Sequence, residues 1–312
     1  PFLLLALVLA HRFLPRVETQ DRQEGKGPPF DAAGAVTFLG AFLCLVIGLR
    51  LGRSEGWTAP VVLTLLSLTP VFLAAFWHAE RRAPWPVLPG SLIAERGFAI
   101  SYISMFLAHF GVFVIWFIFP FFISDALGLG PGSLGAMLAV MALLNSGFAG
   151  VGGWLCDRAG IPIVGFFGLV ILTSGLLAMS FLDSDSGLVQ VALRIGLVGA
   201  GIGLFQASAF ALMLSSAPAQ RLSTASAALS LSQASGTVLS VAVIGGIFAW
   251  TLGIHLAELQ TGDFSPVLGA KELYRQGFIL AYQEVFRLGA VVVLIGACVF
   301  AIGSKRKACS GA

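Results

Sequence analysis

Charged residues are scarce in this chain of 312 residues: they make up 11% of it, whereas hydrophobic residues make up 57% and the mean hydropathy is +0.94. A soluble globular domain carries about a quarter charged residues. Runs of roughly twenty or more nearly uncharged residues recur, which is the length that a helix needs to cross a bilayer. The alternating pattern of membrane barrel strands is absent. The sequence therefore predicts a polytopic α-helical membrane protein.

Motifs of catalysis and metal binding are also absent from the sequence. It contains no His-Glu-x-x-His, no Gly-x-Ser-x-Gly and no phosphate-binding Gly-x-x-x-x-Gly-Lys-Ser/Thr pattern. The cysteines have neither metal-ligand spacing nor an extracellular partner, so all four are expected to be unpaired: Cys44, Cys156, Cys298 and Cys309. We expect no enzyme activity, no metal, no cofactor and no nucleic-acid partner.

The apolar runs divide the chain into one partial span and eight full spans. The run Pro1–Ala10 is too short to cross a membrane alone and is interpreted as the end of a span whose beginning is missing. The proline-rich loop 80–96 is predicted to lie on the membrane surface. Within the long connection 251–284, the part from 271 is predicted to begin a short amphipathic helix that reaches 286. The full spans are expected at about 33–51, 60–77, 98–124, 132–154, 161–182, 189–214, 225–250 and 285–303.

The distribution of Lys and Arg predicts the orientation. If the loop before the first full span is cytoplasmic and the eight spans alternate, twelve basic residues fall on the cytoplasmic side and four on the outer side. This bias follows the positive-inside rule and predicts a multi-pass protein of the cell membrane with a cytoplasmic C-terminus. The twelve are Arg12, Arg16, Arg22, Lys26, Arg81, Arg82, Arg96, Arg158, Arg221, Lys305, Arg306 and Lys307, and the four are Arg50, Arg53, Lys271 and Arg275.

Polar side chains inside the predicted spans are few, and they are costly at membrane depth. His109, Asn145, Gln206 and Gln233 are therefore candidates for the wall of a substrate cavity. The simpler alternative for a lone histidine is a hydrogen bond to a neighbouring residue. No Asp or Glu lies deep in a span, so this chain lacks an obvious carboxylate for proton coupling.

The span that contains His109 is rich in aromatic residues at helical spacing. Such a stripe either packs in the core or faces lipid, or it binds flat hydrophobic or cationic ligands. Phe113 and Trp116 are included in the predicted cavity on the second interpretation. The stripe consists of Phe106, Phe110, Phe113, Phe117 and Phe121, with Trp116 beside it.

Three spans carry small residues at every fourth position, which places each set on one helix face where helices can approach closely. These faces suit either static packing or helices that move against each other. The three sets are Gly199, Gly203, Ala207, Ala211 and Ser215; Thr224, Ala228, Ser232, Gly236 and Ser240; and Ala142, Ser146 and Gly150.

A short polar stretch, Gly153-Trp-Leu-Cys-Asp-Arg-Ala-Gly160, separates two of the spans. Its glycines are expected to allow a tight cytoplasmic turn. Asp157 can accept backbone N–H groups or pair with a base on a neighbouring helix, and Arg158 is expected to stay on the cytosolic side. An ordinary polar loop between two spans is the alternative interpretation.

This stretch resembles the cytoplasmic signature Gly-x-Leu-Ala-Asp-Arg-x-Gly-Arg-Lys of the major facilitator superfamily. Gly153, Leu155, Asp157, Arg158 and Gly160 match it, while Cys156 replaces the alanine and Ile161-Pro162 replace the basic pair. Further stretches are similar to its fourteen-span drug:proton antiporter group: Phe-Asp-Ala-Ala-Gly at 30–34, the proline-rich region 80–98 and Ser-Ser-Ala-Pro-Ala-Gln-Arg at 215–221. The resemblance covers essentially the whole chain.

The resemblance implies an all-α integral membrane protein with a major-facilitator-type helix bundle. Residues 1–30 are then the end of a truncated span and a cytoplasmic linker, 31–96 are two extra spans and a surface loop, and 97–312 are the C-terminal six-helix bundle. It also implies alternating access around a cavity between two bundles, with a cytoplasmic latch formed by Gly153, Asp157, Arg158 and Gly160.

The function that the resemblance implies is that of the C-terminal portion of a secondary active transporter. We expect a proton-coupled exporter of drugs or small amphipathic molecules; the alternative is a metabolite permease or importer of the same fold. The expected partners are the small-molecule substrate, protons, the lipid bilayer and the missing N-terminal bundle.

Overall fold

Long apolar helices make up most of the described chain. The computed structural model describes residues 12, 32–56, 58–82, 90–218, 221–261 and 269–304. Eight helices in these ranges are long and apolar enough to cross a membrane, which confirms the predicted number of full spans. In chain order the helices are α1 (Ala32–Ser54), α2 (Pro60–Arg82), the short α3 (Gly90–Ala94), α4 (Arg96–Phe121), α5 (Pro131–Ala159), α6 (Ile161–Met179), α7 (Leu188–Ser216), α8 (Leu222–Thr261) and α9 (Ala270–Ser304).

Two helices continue well beyond their predicted spans. α8 has 40 residues and α9 has 35, so at 1.5 Å per residue they are about 60 and 52 Å long, against a hydrocarbon core of about 30 Å. Residues 251–261 and 270–284, predicted as parts of a connection outside the bilayer, are helical and extend α8 and α9. Residues 271–286 are helical as predicted, but they belong to α9. Hydropathy predicts where α8 and α9 leave the hydrocarbon core, but both helices extend beyond those positions.

Other predicted boundaries shift less. Part of the predicted surface loop 80–96 is helical, because α2 runs to Arg82 and α3 occupies Gly90–Ala94; residues 83–89 lie outside the described ranges, as does the partial span 1–10. The span predicted to end at Ser124 does extend that far, but after Pro120 the chain forms a π-helical turn, Phe122–Ala126. A proline removes one backbone donor and crowds the preceding turn, and such wide turns often occur at functional positions.

The two ends of the bundle differ in charge. Arg96, at the start of α4, donates a hydrogen bond of 3.4 Å to the Ile302 carbonyl oxygen near the end of α9, as expected for helices that run in opposite directions. We call this end, where α2, α5 and α7 also finish, the basic end; its described cations are Arg81, Arg82, Arg96, Arg158 and Arg221. The other end, called the acidic end, carries Asp125, Asp183, Asp185, Glu258, Glu272 and Glu284, together with the cations Lys271 and Arg275.

α7 lies at the centre of the bundle, and its glycines allow close backbone contact on two sides. A Cβ atom at Gly203 would collide with the Asn145 carbonyl oxygen of α5. On the other side, a Cβ at Gly201 would collide with the backbone nitrogen of Leu172 in α6. The small-residue stripe of α7 is therefore its interface with α5, as expected for closely packed helices in a membrane.

The stripe of α8 also packs against a neighbour. The Ser232 hydroxyl donates a hydrogen bond of 2.6 Å to the Tyr102 carbonyl oxygen of α4. A Cβ at Gly236 would collide with the Phe106 carbonyl oxygen one turn further along. This face of α8 thus holds α8 tightly to α4.

The third predicted stripe is different. Ala142, Ser146 and Gly150 of α5 are exposed, and no atom lies within 4 Å of a Cβ built at Gly150. No described helix packs closely on this face of α5, so the prediction that the stripe joins two helices is not met within the described ranges.

The aromatic stripe of α4 mainly serves packing. Phe110 is buried, and Phe117 lies 3.2 Å from the position of a Cβ at Gly245 of α8. Trp116 and Phe121 are 53% and 50% exposed. The part of the stripe that is available to a ligand is therefore limited to its exposed members.

α1 and α2 form a hairpin beside the six-helix bundle. The hairpin is held by aromatic contacts, with the Phe38 and Phe76 ring centroids 5.4 Å apart. α1 also borders α8, and a crevice of about 650 Å³ lies between them. Its lining is almost entirely apolar: Leu49, Gly52, Gly56, Ala242, Val243, Gly246, Ile247, Ala249 and Trp250.

Candidate functional site

His109 and Gln206 meet between α4 and α7 in the interior of the bundle. The Nδ1 atom of His109 lies 3.0 Å from the Met105 carbonyl oxygen. Since a carbonyl can only accept, Nδ1 carries a hydrogen and donates it. The Nε2 atom of His109 lies 3.3 Å from the amide nitrogen of Gln206. In the neutral imidazole, Nε2 therefore accepts a hydrogen bond from the Gln206 amide.

α8 adds a third polar side chain to this region. The amide nitrogen of Gln233 lies 3.7 Å from the Met105 sulfur, and Met105 is completely buried between the helices. A thioether is a weak acceptor, so most of the hydrogen-bonding capacity of Gln233 is not used by this contact. We call His109, Gln206 and Gln233 the polar cluster.

The other predicted cavity residues lie around the polar cluster without direct contact to it in the described chain. Asn145 is partly buried, and its backbone touches Gly203, one turn before Gln206. Phe113 and Trp116 follow His109 by one and two turns on the same face of α4, and Trp116 is the more exposed of the two. The structure therefore brings three of the six predicted residues into one region, around Met105, and leaves the other three without a contact to them in the described chain.

The chemistry available to the polar cluster follows from its members. Each amide offers two donors and an acceptor, and an imidazole can also take up a proton. No Asp, Glu, Lys or Arg lies near the middle of α4, α5, α7 or α8. The polar cluster can orient polar groups of a ligand or bind a proton, but it carries no permanent charge.

The turn between α5 and α6 is much tighter than predicted. α5 continues through Ala159 and α6 begins at Ile161, so Gly160 alone reverses the chain, with φ +90°. Only glycine adopts this conformation without strain, and the Gly160 N–H caps α5 through a hydrogen bond of 3.1 Å to the Cys156 carbonyl oxygen. Gly153, predicted to lie in the turn, is helical and faces open space. This part of the turn prediction is wrong.

The predicted latch residues Asp157 and Arg158 occupy the last turn of α5 and are both exposed. The Arg158 guanidinium lies 4.3 Å from the centroid of the Trp154 ring, one turn earlier, a cation–π contact. A cation is favourable at a helix C-terminus, whereas an anion there is unfavourable. In the described chain the Asp157 carboxylate makes no ion pair, so the stability of α5 does not explain why an aspartate stands there.

The sequence pattern did not reveal two features of the interior. Met105 lies at the centre of the polar cluster, but one methionine among apolar residues gives no signal. Arg194 lies near the start of α7, where a long basic side chain can reach outward to the membrane interface. Instead, its Nη1 atom is buried and has no hydrogen-bond partner in the described ranges, and the same holds for the Tyr282 hydroxyl on α9.

The eight spans and the interior polar cluster define a class, that of polytopic helical proteins of the membrane with a polar centre in an apolar bundle. The chain belongs to the Major Facilitator Superfamily: the sequence profile of that family matches residues 2–241, which is more than half of the chain. This membership confirms the resemblance seen in the motifs and the all-α bundle expected from it.

The chain is similar to several proteins whose names refer to resistance, export or transport. It is 27% identical over 255 residues to the multidrug resistance protein Stp of Mycobacterium tuberculosis, covering 80% of this chain and 47% of the relative. It is 27% identical over 275 residues (88% and 50%) to the tetracenomycin C resistance and export protein of Streptomyces glaucescens. It is 26% identical over 323 residues (95% and 56%) to a triacylglyceride transporter of Mycolicibacterium smegmatis. The chain spans about half the length of these curated relatives.

Proposed function

We propose that this chain forms the second helix bundle and the two extra spans of a secondary active exporter that moves drugs or other small amphipathic molecules in exchange for protons. The observation that carries this proposal is the polar cluster, in which α4, α7 and α8 each place a large uncharged polar side chain in a mostly apolar interior. Polar groups at membrane depth are costly and typically mark a substrate or ion pathway. The cluster is thus half of the substrate site.

The rim of the site suits amphipathic cargo. Phe113 and Trp116 extend the wall along α4 toward the acidic end, and Asn145 borders it from α5. Aromatic faces bind flat apolar groups and cations, while the amides orient polar groups. A wall of this composition accepts molecules with an apolar body and a polar or cationic part.

The basic end supplies the proposed latch. Asp157 is exposed, lacks an ion-pair partner in the described chain and is disfavoured by the α5 dipole. A base on the companion bundle would explain its position, since the pair would form when that end of the cavity closes. In this role Gly160 fixes the turn, and Arg158, held over Trp154, stays at the membrane surface.

The names of the relatives support export over import. One of them is named for multidrug resistance, and another is named for resistance to tetracenomycin C and its export. The triacylglyceride transporter widens the class of cargo to lipids. We propose the cell membrane as the location, with the basic end and the C-terminus in the cytoplasm, and the division 1–30, 31–96 and 97–312 as linker, extra spans and bundle.

Transport by the purified protein tests this proposal. The protein as its gene encodes it is reconstituted into liposomes, and movement of a fluorescent lipophilic cation is followed with an imposed pH gradient. We expect uptake that is opposite to the proton gradient and abolished by a protonophore. A parallel assay with a labelled triacylglyceride identifies lipid cargo. Absence of movement in both assays, with correctly inserted protein, would refute the exporter proposal and favour a dedicated metabolite permease.

A further inference from the structure

We propose that His109 is a proton-binding residue of this transporter, and that protonation of His109 and binding of a cationic substrate at the polar cluster exclude each other. This inference rests on the proposed export function and assigns a specific role within it. It is carried by the hydrogen-bond geometry around the imidazole and by the composition of the helices that surround it.

Within the described helices, the surroundings of His109 contain no other side chain that changes its charge near neutral pH. α4 packs against α7, α8 and α9, and the part of each helix near His109 lacks Asp, Glu, Lys and Arg. Histidine is the side chain whose ordinary charge change falls between about pH 5 and 8. The titratable or charged groups on α4, the turn after it, α7, α8 and α9 lie toward the helix ends or on other faces: Glu95, Arg96, Tyr102, Asp125, Arg194, His255, Glu258, Lys271, Glu272, Tyr274, Arg275, Tyr282, Glu284, Arg287 and Cys298.

The hydrogen bonds of His109 define where a proton would bind. Nδ1 already donates to the Met105 carbonyl oxygen at 3.0 Å, so the free lone pair is on Nε2. Nε2 faces the Gln206 side chain at 3.3 Å. A proton that enters the site therefore binds Nε2, while the bond to Met105 keeps the ring in place.

The partner of Nε2 can serve both protonation states. With neutral His109, the Gln206 amide nitrogen donates to Nε2. With protonated His109, Nε2 becomes a donor, and rotation of the Gln206 amide by half a turn presents its oxygen as the acceptor. A charge-assisted hydrogen bond is shorter and stronger than a neutral one. Protonation thus tightens the link between α4 and α7.

A charged His109 changes what the site accepts. Two cations close together in an interior of low dielectric constant repel each other strongly, and no acidic side chain of the described helices lies near enough to offset this. A cationic substrate that approaches the rim at Trp116 therefore favours neutral His109. One proton leaves Nε2 for the water when the cation arrives, so the site exchanges one positive charge for another.

Histidine NMR tests the inference directly. The gene product is labelled with ¹³C-histidine in lipid nanodiscs, and its histidine signals, including those of His11, His78, His109 and His255, are recorded from pH 5 to 9. The His109 signal is assigned by its loss in H109Q. We expect it to titrate in this range and saturating tetraphenylphosphonium to lower its midpoint by about one pH unit, a tenfold change in proton affinity. Q206L should also shift the midpoint, whereas Q190L, an exposed change at the start of α7, should not.

The outcomes separate the inference from the proposed function. A His109 signal that stays in the neutral form from pH 5 to 9, or a midpoint that tetraphenylphosphonium leaves unchanged, overturns the inference. Transport of a dye in liposomes is measured independently with the same preparation. Dye movement together with a His109 signal that does not titrate therefore overturns only the inference. Loss of all dye transport with a titrating, ligand-sensitive His109 overturns proton-driven export and leaves the proton–cation exclusion standing.

Discussion

Gln206 on α7 lies 3.3 Å from Nε2 of His109 on α4, and this contact joins two helices through their side chains at membrane depth. Hydrogen bonds between spans average about 0.6 kcal/mol and reach about 1.7 kcal/mol. The contact is therefore a small term in the stability of the bundle. It is weak enough to break and form again during a transport cycle.

The first prediction concerns the size of this link. We expect a double-mutant cycle with His109→Phe and Gln206→Leu, measured by unfolding in mixed micelles, to give a coupling energy of about 0.6 kcal/mol. Gln190→Leu serves as the control in place of the α7 change, because Gln190 is exposed and lies far from His109 along α7. A coupling energy of zero in both cycles would show that the two side chains do not interact.

The second prediction tests the α5–α7 interface. Gly203→Val adds atoms where a Cβ already collides with the Asn145 carbonyl oxygen, and overpacking of this kind typically costs about 1–3 kcal/mol. We expect a clearly lower melting temperature in detergent and loss of transport. Gly147→Val on α5 is the matched control, since no atom lies within 4 Å of a Cβ built there. Equal destabilisation by both changes would contradict the packing described for α7.

A third prediction addresses the latch. Asp157→Asn removes a charge that is exposed, lies at an unfavourable helix end and has no ion-pair partner in the described chain. We expect transport to fall severalfold while protein abundance and melting temperature stay unchanged. Asp185→Asn, an equivalent change at the acidic end, should leave transport intact. If Asp157→Asn transports normally, Asp157 does not act as a latch.

The fourth prediction concerns the ends of α8 and α9 beyond the hydrocarbon. His255 Nε2 lies 3.0 Å from the Glu284 carboxylate of α9, and its Nδ1 lies 3.4 Å from Glu258 on its own helix. Because the pair is partly exposed, a cycle with His255→Gln and Glu284→Gln should give a coupling of about 0.2–1 kcal/mol. A larger loss of stability in the His255 variant alone would indicate contacts beyond this pair.

The number of spans could be predicted from the sequence because each crossing requires a long apolar run. The helix ends could not. α8 and α9 continue into water with polar residues such as Glu258 and Glu272, where the hydropathy signal has already ended. The turn at Gly160 was placed too early for a related reason: Gly153 and Asp157 look like loop residues, but at the end of α5 they remain helical.

The candidate site was predicted in part. Polar residues deep in a span are conspicuous, so His109, Gln206 and Gln233 could be found, and the structure brings them together. Which partner each side chain contacts depends on how its helix is rotated about its own axis. A repeat of small residues indicates that rotation only where another helix packs against the small residues. The α7 and α8 stripes meet neighbours in the described chain, whereas the stripe at Ala142, Ser146 and Gly150 does not.

Efflux of a fluorescent cationic dye tests the central claim most directly. Cells that express the protein as its gene encodes it are loaded with dye, and efflux is measured with and without a protonophore, beside cells that lack the gene. The account predicts dye efflux that depends on the protein and stops when the protonophore removes the proton gradient. Protein present in the membrane with no efflux of any dye, or efflux that the protonophore leaves unchanged, would contradict a proton-driven exporter.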